Sequence, residues 1–261
     1  MHSLNIFTKL KNENKPIVGI TAYDSCFAGL INENNADFIL VGDSVGNVVA
    51  GFESTIPVTM EQMLYHTSLV TKKATVPVIA DMPFLSYEID EKTALINAGR
   101  FLKECGAHAV KLEGGKEIIE TVKKLTCANI PVMGHIGLQP QAILKLGSYK
   151  IQGRTKQQAE ELLENALALE AAGVFAIVLE CVVAETATMI TEKLNIPTIG
   201  IGSGNGTSGQ ILVIHDILGL SSSEKKIAKQ YVNLKEEINK ALKKYAEEVR
   251  EKIFPGIDNS F

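Results

Sequence analysis

Short apolar, β-branched runs alternate with longer helical patterns from one end of the chain to the other, which leaves few folds open. The candidate strands are residues 17–22, 38–42, 76–80, 109–112, 130–134, 175–179, 196–201 and 210–214. Most are apolar throughout, without polar alternation, as strands of a parallel sheet covered on its outside must be. Helical patterns occupy residues 59–73, 90–104, 116–125, 157–172 and 183–194, with Thr59 and Gln62, and Asp90, as start signals. Repeated βα units require right-handed crossovers, so the alternatives are a doubly wound open sheet and a closed barrel. Eight strands favour an α/β fold of the (β/α)8 TIM barrel type, with residues 1–261 as a single domain. The stretch 202–209 is too short for a crossover helix, which needs at least about ten residues, so the last crossover must be abbreviated. Beyond it, Ile227, Tyr231, Leu234, Ile238, Leu242, Tyr245, Val249 and Ile253 recur at spacings of three and four. This predicts additional C-terminal helices, an extension over 221–254 that packs on the barrel or on a subunit neighbour.

Charge and cysteine usage narrow the function classes. The 26 Lys and Arg against 30 Asp and Glu leave a formal charge of −4, with no dense basic block, which argues against nucleic acid as a partner. Cys26, Cys105, Cys127 and Cys181 are far apart and form no C-x-x-C, so neither a disulfide framework nor a thiolate zinc site is indicated. The N-terminal stretch has no apolar signal core, and the longest apolar runs, such as 174–179, fall far short of a membrane span. A cytoplasmic protein without a membrane partner is expected.

In parallel α/β folds ligands bind at the carboxyl ends of the strands. Here those ends read Tyr23-Asp24, Asp43-Ser44, Asp81, Glu113, His135, Glu180, Gly202-Ser203-Gly204 and His215-Asp216. A barrel would bring Asp43, Asp81 and Glu113 to one rim, where close like charges call for a cation. Hard oxygen ligands of this kind suit Mg²⁺; the other reading is three solvated loop acids. The histidines His66, His108, His135 and His215 show no H-x-x-x-H or H-E-x-x-H spacing, which speaks against zinc. Lys111, two residues before Glu113, faces the barrel interior with it and needs an anion there, either a ligand or a neighbouring acid. Glu180 ends a very apolar run, where desolvation would raise a carboxyl toward the range of a useful base, unless it turns out to solvent.

Two motif matches fail on context. Gly42-Asp43-Ser44-Val45-Gly46 fits the G-x-S-x-G nucleophile elbow, with His215 downstream, but the residues that follow are rich in β-branched residues, Gly and Pro rather than helical. Gly204 to Gly209 fits G-x-G-x-x-G but precedes a strand, which suits an anion-binding or flexible loop better than a dinucleotide site.

The strand ends and loops also form a collinear set: ITAYD (20–24), VGDS (41–44), the G-x-x-S-T-x-P-V-T-x-x-x-M-x-x-H stretch (51–66), ADMPF (80–84), VKLEGG (110–115), PVMGHIGLQPQ (131–141), YKIQGR (149–154), VLE (178–180), IGIGSG (199–204) and GQILVIHD (209–216). Together they closely resemble the ketopantoate hydroxymethyltransferase (3-methyl-2-oxobutanoate hydroxymethyltransferase) family over nearly the whole chain. The resemblance implies a (β/α)8 barrel in a homo-oligomer, commonly a decamer. It implies transfer of a hydroxymethyl group from 5,10-methylenetetrahydrofolate to 3-methyl-2-oxobutanoate through a Mg²⁺-stabilised enolate, in pantothenate biosynthesis. By the same resemblance Asp43 and Asp81 match magnesium ligands, and Glu113 matches a third metal-site acid, direct or through water. Asp43, Ser44, Asp81 and Lys111 match contacts to the 2-oxo acid, and Glu180 matches the proton acceptor. Three departures stand out: Ser203 where the family has Ala, Ser208 where it has Asp, and Lys225-Lys226-Ile227 where it has Pro-Lys-Phe. A Mg²⁺-dependent 2-oxo acid aldolase or lyase, and a serine hydrolase using Ser44 and His215, are the alternatives.

Overall fold

The structure, a computed structural model, describes residues 4–147, 150–221 and 226–261. In the unit Met1–Val213 eight parallel strands pair in sequence order and close on themselves. They are β1 (Ile17–Thr21), β2 (Phe38–Val41), β3 (Val78–Asp81), β4 (Ala109–Glu113), β5 (Val132–Gly137), β6 (Ala176–Glu180), β7 (Thr198–Ile201) and β8 (Gly209–Leu212). Around them run α1 (Asn5–Asn12), α2 (Ser25–Asn32), the single turn α3 (Val45–Val48), α4 (Met60–Thr71), α5 (Glu91–Cys105), α6 (Ile119–Cys127), the single turn α7 (Ile143–Leu146), α8 (Lys156–Ala171) and α9 (Ala184–Lys193). Local chemistry sets the helix starts. Thr59 and Thr155 each form a reciprocal capping box with a Gln three residues on, and the Asp24 and Asp90 carboxylates accept the N–H groups of Phe27 and Thr93.

The barrel interior changes character along its length. At the N-terminal end it is apolar, built from Phe38, Ile79, Ala109, Met133, Val178 and Ile199 among others. Two residues further along the same strands, on the same inward face, stand Asp81, Lys111, His135 and Glu180. The pleat therefore places a charged layer directly above a dry floor. Gly19 leaves room for the floor: a Cβ there would lie 2.3 Å from the Phe38 ring.

The sequence reading left out α1, which is short and mostly polar. Only Phe7 is buried in it, with its ring centroid 5.0 Å from that of Phe38 and 5.1 Å from that of Phe175. From the next turn Lys11 Nζ donates to the carbonyls of Leu194 (2.9 Å) and Ile196 (2.7 Å), just past the end of α9. β5 runs to Gly137, three residues further than expected, so His135 lies within the strand and not after it. The β7–β8 connection has no helix, and the strands pair directly through Ile199 with Gly209 and Gly200 with Gln210. Ser208 and Thr198 close it with reciprocal bonds, each hydroxyl oxygen accepting the other's N–H at 3.2 Å.

The unit Ile214–Phe261 holds α10 (Ile214–Leu218) and α11 (Leu234–Arg250). The Asn233 side chain accepts the Glu236 N–H and starts α11, so Ile227 and Tyr231 precede the helix and Ile253 follows it. Among the described residues the expected extension over 221–254 thus contains one long helix, and Lys225 lies outside them. Among the described residues no helix is long and apolar enough to cross a membrane.

Phe7 is fully buried and bridges two rings. Phe7→Ala is therefore expected to lower the unfolding free energy by about 3–5 kcal/mol in urea titrations. A loss under about 1 kcal/mol, a surface-like value, would mean that α1 does not complete the core.

Candidate active site

Register assembles the site. Asp81 and Lys111 are direct cross-strand partners, as are Glu113 and His135, and Gly137 faces Glu180. Lys111 Nζ lies 3.1 Å from Asp81 Oδ1 and 3.1 Å from His135 Nδ1. His135 Nδ1 stands 3.5 Å from Glu113 Oε1, and its Nε2 stands 3.3 Å from Glu180 Oε2. Nδ1 thus faces both a donor and an acceptor, so protonating the ring exchanges Lys111 for Glu113 as its partner. From the loop after β2, the Asp43 N–H donates to Asp81 Oδ2 at 3.1 Å. Gly42 permits this approach, because a Cβ there would lie 2.6 Å from Ser44 Oγ and 3.4 Å from Asp81 Oδ2.

All the residues expected at the site from the sequence lie at this end of the barrel. Asp43, Asp81, Lys111 and Glu113 are buried, and Lys111 does pair with an acid. Glu180 is not turned out to solvent: its side chain is 16% exposed and faces His135. Ser44 Oγ shares a 2.8 Å hydrogen bond with Tyr23 Oη, which also accepts from Thr21 Oγ1 at 2.9 Å. A turn of helix, α3, does follow Ser44, contrary to expectation, but the hydroxyl is paired with a phenol and not with a histidine.

Three contributors had no role in the sequence reading. His135 was visible as a strand-end residue, but its position between two carboxylates depends on the β4–β5 register. Gln141 and Tyr87 sit in loops beyond β5 and β3. The Pro140–Ala142 turn carries the buried Gln141, whose Nε2 donates to Asp43 Oδ2 (2.8 Å) and to the Met82 carbonyl (3.0 Å). Its Oε1 accepts from Tyr87 Oη at 2.9 Å, and its N–H donates to Glu113 Oε2 at 3.0 Å.

Burial and crowding set the charges. Asp43 is pushed up to about 8, first by burial and then by the Asp81 and Glu113 carboxylates. Burial raises Asp81 as well, against the pull of Lys111. Glu113 goes the other way: burial would raise it, but the hydrogen bond and charge of His135, with Lys111 behind them, hold it below the ordinary range. Lys111 stays protonated because the three acids outweigh its desolvation. Burial and Lys111 oppose charge on His135, yet Glu113 and Glu180 hold it up to about 9.

Three buried acids facing one ammonium leave a demand for positive charge. Asp81 Oδ1 is buried and accepts no hydrogen bond, although Lys111 is 3.1 Å away. Among the described residues no three His, Cys, Asp or Glu side chains are arranged to hold a metal ion by themselves. Mg²⁺ asks for less, typically one or two carboxylates with water and substrate oxygens completing the shell. Asp43 and Asp81, with Glu113 behind them, are a donor set of that kind.

The chain around Glu180 is fixed from both sides. Gly137, at φ +97°, has no room for a Cβ, which would lie 2.3 Å from the Glu180 carbonyl oxygen, and the Leu138 N–H donates to that oxygen at 2.8 Å. Buried Ser203 donates to the Leu179 carbonyl (2.7 Å) and accepts the Val182 N–H (3.0 Å), spanning Cys181 at φ +52°. Tyr149, in the YKIQGR stretch, lies outside the described residues, but the Gln152 N–H donates to the Cys181 carbonyl at 2.8 Å.

A profile described as ketopantoate hydroxymethyltransferase matches residues 2–257. The chain belongs to the ketopantoate hydroxymethyltransferase family. It is 52% identical over 261 residues to a 3-methyl-2-oxobutanoate hydroxymethyltransferase of Pseudothermotoga lettingae, covering 99% of this chain and 98% of the relative. It is 48% identical over 259 residues to the enzyme of that name from Syntrophus aciditrophicus, with 98% and 95% covered. In fold it is similar to a crystal structure of phosphonopyruvate hydrolase, at a TM-score of 0.65 and 11% identity, covering 100% of this chain and 92% of that one. Membership in the ketopantoate hydroxymethyltransferase family makes the chain an enzyme of the transferase class.

The raised carboxyl of Asp43 gives a signed pH effect. A group whose pKa rises from 3.8 to about 8 on folding favours the folded state most at acid pH, and that contribution disappears as pH climbs from about 4 through about 8. In EDTA, Asp43→Asn should melt several degrees above the wild type at alkaline pH, and the gap should close toward the acid end of a thermal-shift series. A gap independent of pH would show that Asp43 ionises in the folded chain without penalty.

Proposed function

We propose that the chain transfers a hydroxymethyl group from 5,10-methylenetetrahydrofolate to 3-methyl-2-oxobutanoate, forming 2-dehydropantoate in pantothenate biosynthesis. Family membership supports the reaction. The observation that carries the mechanism is the Glu180 carboxylate at the edge of the buried Asp43, Asp81, Lys111 and Glu113 cluster. In this reading Asp43 and Asp81, with Glu113 direct or through water, hold Mg²⁺. When bound, the ion supplies a Lewis acid for the oxygens of the 2-oxo acid.

The chain's own groups do the rest. Lys111 and the Ser44 hydroxyl bind and orient the anionic end of the substrate from the barrel mouth. Glu180 removes the C3 proton. The electron pair left on C3 forms the new bond to the one-carbon unit of the folate, water supplies the hydroxyl, and tetrahydrofolate leaves. His135, whose Nε2 is 3.3 Å from Glu180 Oε2, holds that carboxylate toward the cluster. The reading places the reaction in the cytoplasm, in a homo-oligomer, with α11 as a face suited to a subunit neighbour.

Glu180→Gln should lower turnover by about 10²- to 10⁴-fold, the usual contribution of a positioned base, and leave magnesium-dependent binding of 3-methyl-2-oxobutanoate intact. Proton NMR in D₂O, with Mg²⁺ or EDTA and with or without methylenetetrahydrofolate, follows both halves of the reaction. The wild type should lose the C3 proton only with Mg²⁺ and form product only with the folate. Exchange in the Gln variant at the wild-type rate would remove Glu180 from the role.

A further inference from the structure

Gln141 is a neutral residue placed between the acids, and its orientation is fixed by chemistry. The Met82 carbonyl can only accept, so the amide atom 3.0 Å from it must be Nε2 and the atom facing Tyr87 must be Oε1. Asp43 Oδ2 is therefore offered a donor, at 2.8 Å, and not the amide oxygen. The same residue gives its backbone N–H to Glu113 Oε2 at 3.0 Å. One buried residue thus commits one oxygen on each of two acids, Asp43 from the loop after β2 and Glu113 from the end of β4. The other oxygen of Glu113, Oε1, faces His135. Tyr87 Oη locks the arrangement, because its one proton is shared between Gln141 Oε1 and the Glu113 carbonyl, each 2.9 Å away, while its oxygen accepts the Glu113 N–H at 3.2 Å.

We infer that Gln141 is a positioning residue for divalent-cation binding: it holds the carboxylates of Asp43 and Glu113 oriented so that a hard cation meets a prepared site. This rests on the metal reading proposed above. A donor on one carboxylate oxygen restricts the other as the coordinating atom and offsets repulsion before the cation arrives, and loss of such partners characteristically costs 10- to 100-fold in metal affinity.

The test is a titration of the metal-free full-length chain with Mn²⁺, followed by EPR of the free ion, and with Mg²⁺ by calorimetry. The wild type, Gln141→Met and Tyr87→Phe are compared. Met keeps the length of the side chain and removes all three side-chain amide contacts. Gln141→Met is expected to weaken Mn²⁺ and Mg²⁺ binding by about 10- to 100-fold. Tyr87→Phe, which leaves the amide in place but unlocked, should weaken binding in the same direction and by less. Turnover of Gln141→Met should recover as Mg²⁺ is raised to saturation, which a merely structural defect would not allow. Unchanged dissociation constants in the variants overturn the inference, as does a turnover defect that saturating Mg²⁺ leaves in place. If Gln141→Met does not fold, Tyr87→Phe decides alone. Absence of Mn²⁺ and Mg²⁺ binding in the wild type defeats the metal reading itself, and the inference with it, before any variant is compared.

Discussion

The pair between Lys111 and Asp81 is the contact on which the site depends. Both side chains are 4% exposed and 3.1 Å apart at matched positions of adjacent strands. Removing one partner from such a pair strands a charge in a dry interior, at a cost of about 3–5 kcal/mol. A single ammonium cannot balance three acids, however, and the surplus shapes everything around it. Asp43 rises toward neutrality, His135 is drawn toward its charged form, and the backbone N–H groups of Asp43 and Gln141 point at carboxylate oxygens. The apolar floor below keeps this charge at one end of the barrel.

Much of this arrangement was legible in the strand patterns. AVKLE, read with a period of two, puts Ala109, Lys111 and Glu113 on one face, and the structure has them there, apolar at the floor and charged above it. The short stretch before the last strand also carried its message, and the structure replaces a crossover helix with side-chain bonds between Thr198 and Ser208. What could not be read were facts of register and of loop return. His135 meets Glu113 only because β4 and β5 pair at that offset, and no local pattern encodes it. Gln141 and Tyr87 reach the acids from loops whose paths follow from the closed barrel. The first helix was missed for a different reason: one buried Phe in eight residues is too faint a signal against its polar neighbours.

The departures in the glycine-rich loop are absorbed by the scaffold. Ser208 lacks the charge that the resembling family carries there, yet its hydroxyl and N–H both bond across to Thr198. Ser203 adds a hydroxyl where Ala is usual and spends both hydrogen-bonding capacities on the backbone either side of Glu180 and Cys181. Both contacts close the barrel or brace the turn after β6. In this chain both hydroxyls have partners within the fold.

Exposure divides the acids along the lines of the proposed roles. A carboxylate that holds a cation gains from a dry setting, because low dielectric strengthens its attraction and keeps competing water away. A carboxylate that removes a proton must give it up again at every turnover, which needs a path outward. Asp43, Asp81 and Glu113 are 3–6% exposed, whereas the Glu180 side chain reaches 16% and has His135 on its inner side. On the proposed reading, Glu180 at the edge of the buried cluster would face a substrate held over the acids and still exchange its proton with water. If the roles were reversed, with a base sealed among the metal acids, the proton would be trapped beside the charges that most favour keeping it. The gradient from floor to rim, set by the pleat of eight strands, would on the proposed reading separate cation binding from proton transfer.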